Sequence, residues 1–192
     1  MLTIPVTDRC RLVPLDLRDA DELYSLTDAN RHYLRQWLPW LDSVRGIDDT
    51  RTFIRAAQSQ AARNDGAQLA LTVDGRIAGV VGHHHVDWRN RSTSIGYWIG
   101  ESYQGRGLTT AACRALITRA FEKARLNRVE IRCASGNHRS RAIPVRLGLR
   151  QEGMLREAEW LYDHFVDHVI YAALAKEWRA ADDDASGRES VT

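Results

Sequence analysis

Several features are scarce in this 192-residue chain, and each scarcity excludes something. Its three cysteines, Cys10, Cys113 and Cys133, lack CxxC or metal-ligand spacing, and their odd number argues against a disulfide framework. That usage fits a reducing cytosol. No stretch approaches the roughly 18 apolar residues of a membrane span. The first residues show no basic region followed by an apolar run, so neither export nor membrane insertion is expected. Net charge is also low: 27 Lys and Arg against 25 Asp and Glu leave +2, no general electrostatic reason to bind nucleic acid or an anionic membrane. Gly-Lys-Ser/Thr is missing, and Thr110 stands where a Rossmann fingerprint needs glycine or alanine, so neither standard nucleotide-binding turn is present. Internal repeats and long linkers are absent.

What is there reads as one globular unit. The chain is 44% apolar and 27% charged, and long enough to bury a substantial core. Residues 1–179 are expected to form the domain, and 180–192, small, polar and acidic, a disordered tail. A short strand is expected at 11–14. Asp19 is expected to cap a helix, with Glu22 at capping-box spacing. Asn30 opens another helical segment that Pro39 stops. Asp48 or Asp49 caps a longer helix closed by Asn64-Asp65-Gly66.

The period then changes. Residues 68–73 and 76–86 are strand-like and meet at Asp74-Gly75, a two-residue hairpin signal. Residues 93–99 make a third strand. Leu108, Ala111, Ala112, Ala115 and Leu116 recur at helical spacing, and 128–133 alternate as a strand with one buried face. A short helix over 140–147, capped by Ser140, and a strand at 165–175 follow. The class is α+β.

Between the strand ending at Ile99 and the helix beginning near Leu108 lies Gln104-Gly105-Arg106-Gly107. A helix N-terminus offers unpaired N–H groups and a partial positive charge, which together bind phosphate. Glycine permits positive φ and lets backbone approach an anion closely.

This stretch, Gln104-Gly105-Arg106-Gly107-Leu108-Thr109, resembles the pyrophosphate-binding motif of the GNAT superfamily of acyl-CoA-dependent N-acetyltransferases. Thr109 departs from the usual glycine or alanine at the last position. Ile95-Gly96-Tyr97-Trp98-Ile99 resembles the strand before that motif. Asn137, Ser140 and Leu147-Gly148-Leu149 resemble the second CoA-contacting segment, with Leu149 in place of an aromatic residue. Gln36-Trp37-Leu38-Pro39-Trp40 and Ala158-Glu159-Trp160-Leu161 resemble the RimJ/RimL branch, which acetylates protein N-termini. The match runs over about residues 8–178 in order.

The resemblance implies a single GNAT-like domain whose mixed, mostly antiparallel sheet splays in the middle between flanking helices. It implies acetyl-CoA as co-substrate, its pyrophosphate on the backbone of Gln104, Gly105, Arg106, Gly107, Leu108 and Thr109. Asn137 would bond the pantetheine arm, and N–H groups near Ile99 would face the oxyanion. By the same resemblance Trp37 and Trp40 wall the acceptor site, Glu159 faces the acceptor amine, and a homodimer in the cytoplasm is implied.

Acetyl transfer to an amine needs the amine neutral, the oxyanion stabilised and the departing thiolate protonated. Glu159 is the candidate base. Glu157, expected on the same strand face, is its rival and a second candidate acceptor contact. Ser140 is the candidate proton donor to sulfur, while Tyr97 and Tyr103 read more simply as packing residues. Cys133 alternates with Val129 and Ile131 and is expected to point into the core, which favours direct attack over an acetyl-enzyme. In His83-His84-His85, the first and third would share a face, too few ligands for a metal, so none is expected. His85 is the candidate acceptor contact of that run. The expected acceptor is a protein N-terminal α-amine, that of a ribosomal protein in particular. The alternatives are a small amine (an antibiotic or polyamine) or a non-catalytic acyl-CoA sensor.

Overall fold

A computed structural model of the chain describes residues 3–178. The expected end of the domain at 179 and the expected disordered tail lie outside the described residues. Eight strands form one open sheet in the order β1-β2-β3-β4-β5-β6-β8-β7. They are β1 (Ile4–Pro5), β2 (Cys10–Pro14), β3 (Ala67–Val73), β4 (Arg76–Asp87), β5 (Ser92–Ile99), β6 (Arg128–Ala134), β7 (Arg150–Leu161) and β8 (His164–Leu174). Every pairing is antiparallel except β5 with β6. A parallel pair needs a long crossover, which α4 (Leu108–Glu122) supplies. Before the central strands come α1 (Ala20–Ala29), α2 (Arg31–Leu34) and α3 (Ile47–Ala62); α5 (His138–Arg146) follows β6.

Alternation along the strands sends apolar side chains to both faces. On one face Leu12, Leu71, Val81, Ile95 and Ile131 pack with Ala112, Leu116, Ile117 and Phe121 of α4. On the other, Ala70, Ile77 and Val80 pack against Leu23 of α1 and Ile54 and Ala57 of α3. The β3–β4 hairpin turns at Asp74 (φ 49°) and Gly75 (φ 79°), the doubly positive conformation its sequence demands. Among the described residues no helix is long and apolar enough to cross a membrane.

Some local expectations are corrected. Asp19 holds the N-cap position of α1 but makes no side-chain cap bond there: Asp16 caps a short 3-10 turn before it, and the Asp19 carboxylate accepts from the Asp16 N–H at 2.8 Å. Glu22 instead accepts from the Ile77 N–H at 3.0 Å, tying α1 to β4. Gly46, rather than Asp48 or Asp49, is the N-cap of α3, and Asp49 is its third residue, accepting from the Gly46 N–H at 3.0 Å. A strand is expected around Glu157 and Glu159, but not the 12-residue length that β7 has. Exposed on both faces at the sheet edge, it carries no alternation to read.

The histidine run also departs from simple alternation, because the β4–β5 register shifts between His83 and Val86. His84 and His85 both reach one cavity, while His83 faces α4 near Leu116 and Arg119. There burial pushes the His83 imidazole down to about 4 from its ordinary 6.5. The unfolded chain therefore takes up a proton that the folded one refuses. Stability from the neutral ring is full above pH 6.5 and is lost as pH falls towards 4. Urea unfolding at about pH 7.5 and about pH 5 should show a smaller loss of stability for His83→Leu than for the wild type; equal losses would contradict this.

Candidate active site

The parallel pairing of β5 with β6 is short, running only from Ser92↔Arg128 to Ile95↔Ile131. Beyond it β5 stays with β4 out to Ile99↔Gly79, and β6 stays with β8 out to Ala134↔His168. The two strands therefore part. In an antiparallel ladder, successive residues bond alternately towards and away from the neighbour. The Gly100 N–H donates to the Ala78 carbonyl at 2.8 Å, so the backbone groups of Tyr97 and Ile99 turn away from β4, into the gap. The Ser135 N–H donates to the Asp167 carbonyl at 2.8 Å, so those of Arg132 and Ala134 turn into it from the other side. An extended arm bearing amides meets hydrogen-bonding backbone on both walls.

The gap opens into a cavity of about 1980 Å³ that also takes in the glycine turn. Gly105 and Gly107 both have φ of 72°, and a Cβ added at either would meet nothing within 4 Å. Conformation, not crowding within the protein, requires glycine there, and the space above the turn is open. Gly107 is the N-cap of α4, and the first intrahelical bond runs from the Ala111 N–H to its carbonyl at 3.0 Å. The N–H groups of Leu108, Thr109 and Thr110 thus remain for an anion at the positive end of the helix. The turn is braced from behind. Asn30 Oδ1 accepts from the Glu101 N–H at 2.8 Å, and Arg106 Nη2 donates to the Ser102 carbonyl at 2.8 Å. Gln104 Oε1 accepts from Arg139 Nη1 at 2.8 Å, which links the turn to α5.

On the far wall, α5 is capped by Asn137, not by Ser140: Asn137 Oδ1 accepts from the Ser140 N–H at 3.0 Å. Ser140 becomes the third helical residue, and its hydroxyl is free of capping. Ser140 Oγ lies 3.2 Å from the Tyr97 hydroxyl and 3.2 Å from Cys133 Sγ. Pro144, within α5, has no N–H for the Ser140 carbonyl one turn back. The Tyr97 hydroxyl donates to that carbonyl instead, at 3.1 Å, joining β5 to α5. Burial holds the Tyr97 phenol well above its ordinary range and raises the Cys133 thiol too. Cys133 is 3% exposed, and a thiol kept protonated is a poor nucleophile.

Trp37, Pro39 and Trp40 also line the cavity. Trp40 packs on Trp98 with ring centroids 6.2 Å apart, which seats this segment against β5. The Tyr162 hydroxyl donates to the Leu38 carbonyl at 2.6 Å, and the Arg35 guanidinium lies 3.7 Å from the Tyr162 ring centroid. The β7–β8 turn is thereby fastened to the aromatic wall. Glu159 lines the cavity, and Glu157 does not. The expectation that they share a face fails because the register shifts between Leu155 and Glu159, with Glu157 at φ 49°. His85 lines the cavity mouth, where it pairs with Asp65. Sequence reasoning gave no site role to Asp65, Arg132, Tyr162 or His168, and nothing in the strand HFVDHVIYAAL sets His168 apart from His164. Among the described residues no group of three His, Cys, Asp or Glu side chains forms a metal site.

Comparison with known proteins agrees with this geometry. Residues 9–150 match the acetyltransferase (GNAT) domain family. A putative ribosomal N-acetyltransferase of Bacillus subtilis (strain 168) is 38% identical over 179 residues, 93% of this chain and 98% of that protein. The ribosomal-protein-serine acetyltransferase of Escherichia coli (strain K12) is 30% identical over 172 residues, 90% of this chain and 96% of that one. Among solved structures, the Microcin C7 self-immunity acetyltransferase MccE, in complex with acetyl-CoA and AMP, superposes with a TM-score of 0.86. It shares 31% identity, covering 88% of this chain and 94% of its own.

A branched side chain at Gly107 would be strained at its φ of 72°, by about 1–2 kcal/mol, and would fill the space above the turn. Calorimetry with coenzyme A should find Gly107→Val binding weaker by about tenfold or more; unchanged affinity would defeat the phosphate-cradle reading.

Proposed function

The chain belongs to the GNAT acetyltransferase family, and we propose that it acetylates the α-amine of a protein N-terminus, that of a ribosomal protein in particular, by direct attack in a ternary complex. It is an acetyl-CoA-dependent N-acetyltransferase. The reading of the acceptor rests on one observation. A single cavity takes in the N–H groups of the glycine turn, the gap between β5 and β6, and the Glu159 carboxylate beside an aromatic wall. The relative that acts on a ribosomal-protein serine supports it.

Each residue then has a task. The backbone of Gly107, Leu108, Thr109 and Thr110 holds the pyrophosphate, and the turned-out groups of Tyr97, Ile99 and Ala134 hold the amide arm. Asn137 lines the same wall with an amide Nδ2 that its cap does not use. Glu159 takes the proton of the attacking amine; an α-amine, with a pKa of about 8, gives it up more readily than a lysine at about 10.4. The Ile99 N–H, aimed into the gap, stabilises the developing oxyanion. As the carbon–sulfur bond breaks, the Ser140 hydroxyl gives its proton to the thiolate. The buried Cys133 thiol takes no covalent part.

A second reading, a small amine carried on a nucleotide, has one observation in its favour. Trp37 and Trp40 line the cavity, where an aromatic ring can stack on a base, and the related MccE is in complex with acetyl-CoA and AMP. Mass spectrometry of peptides beginning with Ser, Ala or Met, run beside an aminoacyl nucleotide and a polyamine, separates the two. Acetylation of the peptide α-amine is expected. Modification of the small amines alone would overturn the protein-acceptor reading. Glu159→Gln should lower kcat by about 100-fold or more, the scale of a lost general base, with acetyl-CoA affinity unchanged. Wild-type turnover across the pH range would remove Glu159 from the mechanism.

A further inference from the structure

The carboxylate of Glu159 does not stand alone. His168, on β8, brings its Nε2 to 3.3 Å from Glu159 Oε2. Both side chains are largely withdrawn from solvent, 17% exposed for His168 and 32% for Glu159, and both line the cavity. The contact is built by an irregularity in the sheet. Between the pairs Leu155↔His168 and Glu159↔Val166, β7 runs through Arg156, Glu157 and Ala158 while β8 has only Asp167. Two residues are extra on β7. They are taken up at Glu157, whose φ of 49° would be strained without support, and whose N–H is held by Asp167 Oδ1 at 2.8 Å. Bulges of this kind re-aim side chains. Here the bulge leaves Glu159 diagonal to His168 on the cavity face of the hairpin.

We propose that His168 is a positioning residue for Glu159: its Nε2–H donates to one carboxylate oxygen, fixes the rotamer, and leaves the other oxygen to meet the amine. This rests on the reading of Glu159 as the base. A glutamate has three side-chain torsions, and a base must lie within hydrogen-bond reach of its proton before its basicity matters. Ala134 stands opposite His168 on β6 with Arg132 next along the same face, and Arg132 is engaged by Glu130 at 3.0 Å. Glu159 is therefore the carboxylate that His168 meets. The Asp167 side chain is committed to the bulge.

Four proteins test this: His168→Phe, His168→Gln, Glu159→Gln and the double variant Glu159→Gln/His168→Phe, each checked by thermal unfolding and by acetyl-CoA affinity. Phenylalanine suits a strand and removes the donor. Glutamine returns an N–H at about the reach of Nε2. His168→Phe is expected to lower kcat by about tenfold or more with the KM for acetyl-CoA unchanged, and His168→Gln to recover most of that loss. In the Glu159→Gln background, His168→Phe should change kcat by less than about twofold, since its effect passes through the missing carboxylate. Full activity of His168→Phe while Glu159→Gln is impaired would overturn the positioning role and leave the base assignment standing. A similar fall from His168→Phe in both backgrounds would also overturn it, because the imidazole would then act independently. Wild-type kcat in Glu159→Gln would sink the underlying reading, and the positioning role with it.

Discussion

Everything at this site depends on two strands that start as partners and then let go. Parallel pairing of β5 with β6 ends after Ile95 and Ile131, yet neither strand frays, because β4 holds one and β8 holds the other. The cost falls on the backbone groups of Tyr97, Ile99 and Arg132 and on the Ala134 N–H, which face a gap instead of a ladder, while the Ala134 carbonyl accepts from the Asn137 N–H at 2.9 Å. Backbone N–H and C=O groups left without partners cost free energy comparable to a lost hydrogen bond. A substrate arm carrying amides can settle that debt, as water does more weakly, so the sheet is preorganised for a ligand that binds like a strand.

The elements around the gap are tied to one another through side chains more than through the sheet. Pro144 deprives the Ser140 carbonyl of its helical donor, and the Tyr97 phenol fills the role across the gap's floor. Asn137 takes over the cap and so releases the Ser140 hydroxyl. At the aromatic wall, Tyr162 reaches 124 residues back along the chain to Leu38. Arg31 donates from Nη1 to the Leu41 carbonyl at 2.6 Å and from Nη2 to the Val44 carbonyl at 2.7 Å, clamping the loop after Trp40. Each tie fixes one wall of the cavity relative to another.

Much of this was legible in the sequence where one local rule dominates. Asp74-Gly75 announces its hairpin, Gly105 and Gly107 their helix mouth, and the alternation of Val129, Ile131 and Cys133 the face they bury. The readings that failed involve competition between equivalent groups or register faults. Asp16, Asp19 and Glu22 are all capable caps, and packing against β4, which draws Glu22 away, decides among them. Ser140 and Asn137 lie three residues apart and either suits an N-cap. The bulges at His83–Val86 and Leu155–Glu159 left no mark, since a bulge is a property of a strand pair and only one strand is visible at a time. For that reason Glu157 was set beside Glu159, and His168 was overlooked.

The measurement closest to the central claim is amide hydrogen exchange with and without saturating acetyl-CoA. Slower exchange at Tyr97, Ile99 and Ala134, together with Leu108, Thr109 and Thr110, is the expected result, because those N–H groups face the gap and the helix mouth. Heat released on binding, with exchange at these amides unaltered, would contradict it and move the co-substrate out of the gap between β5 and β6.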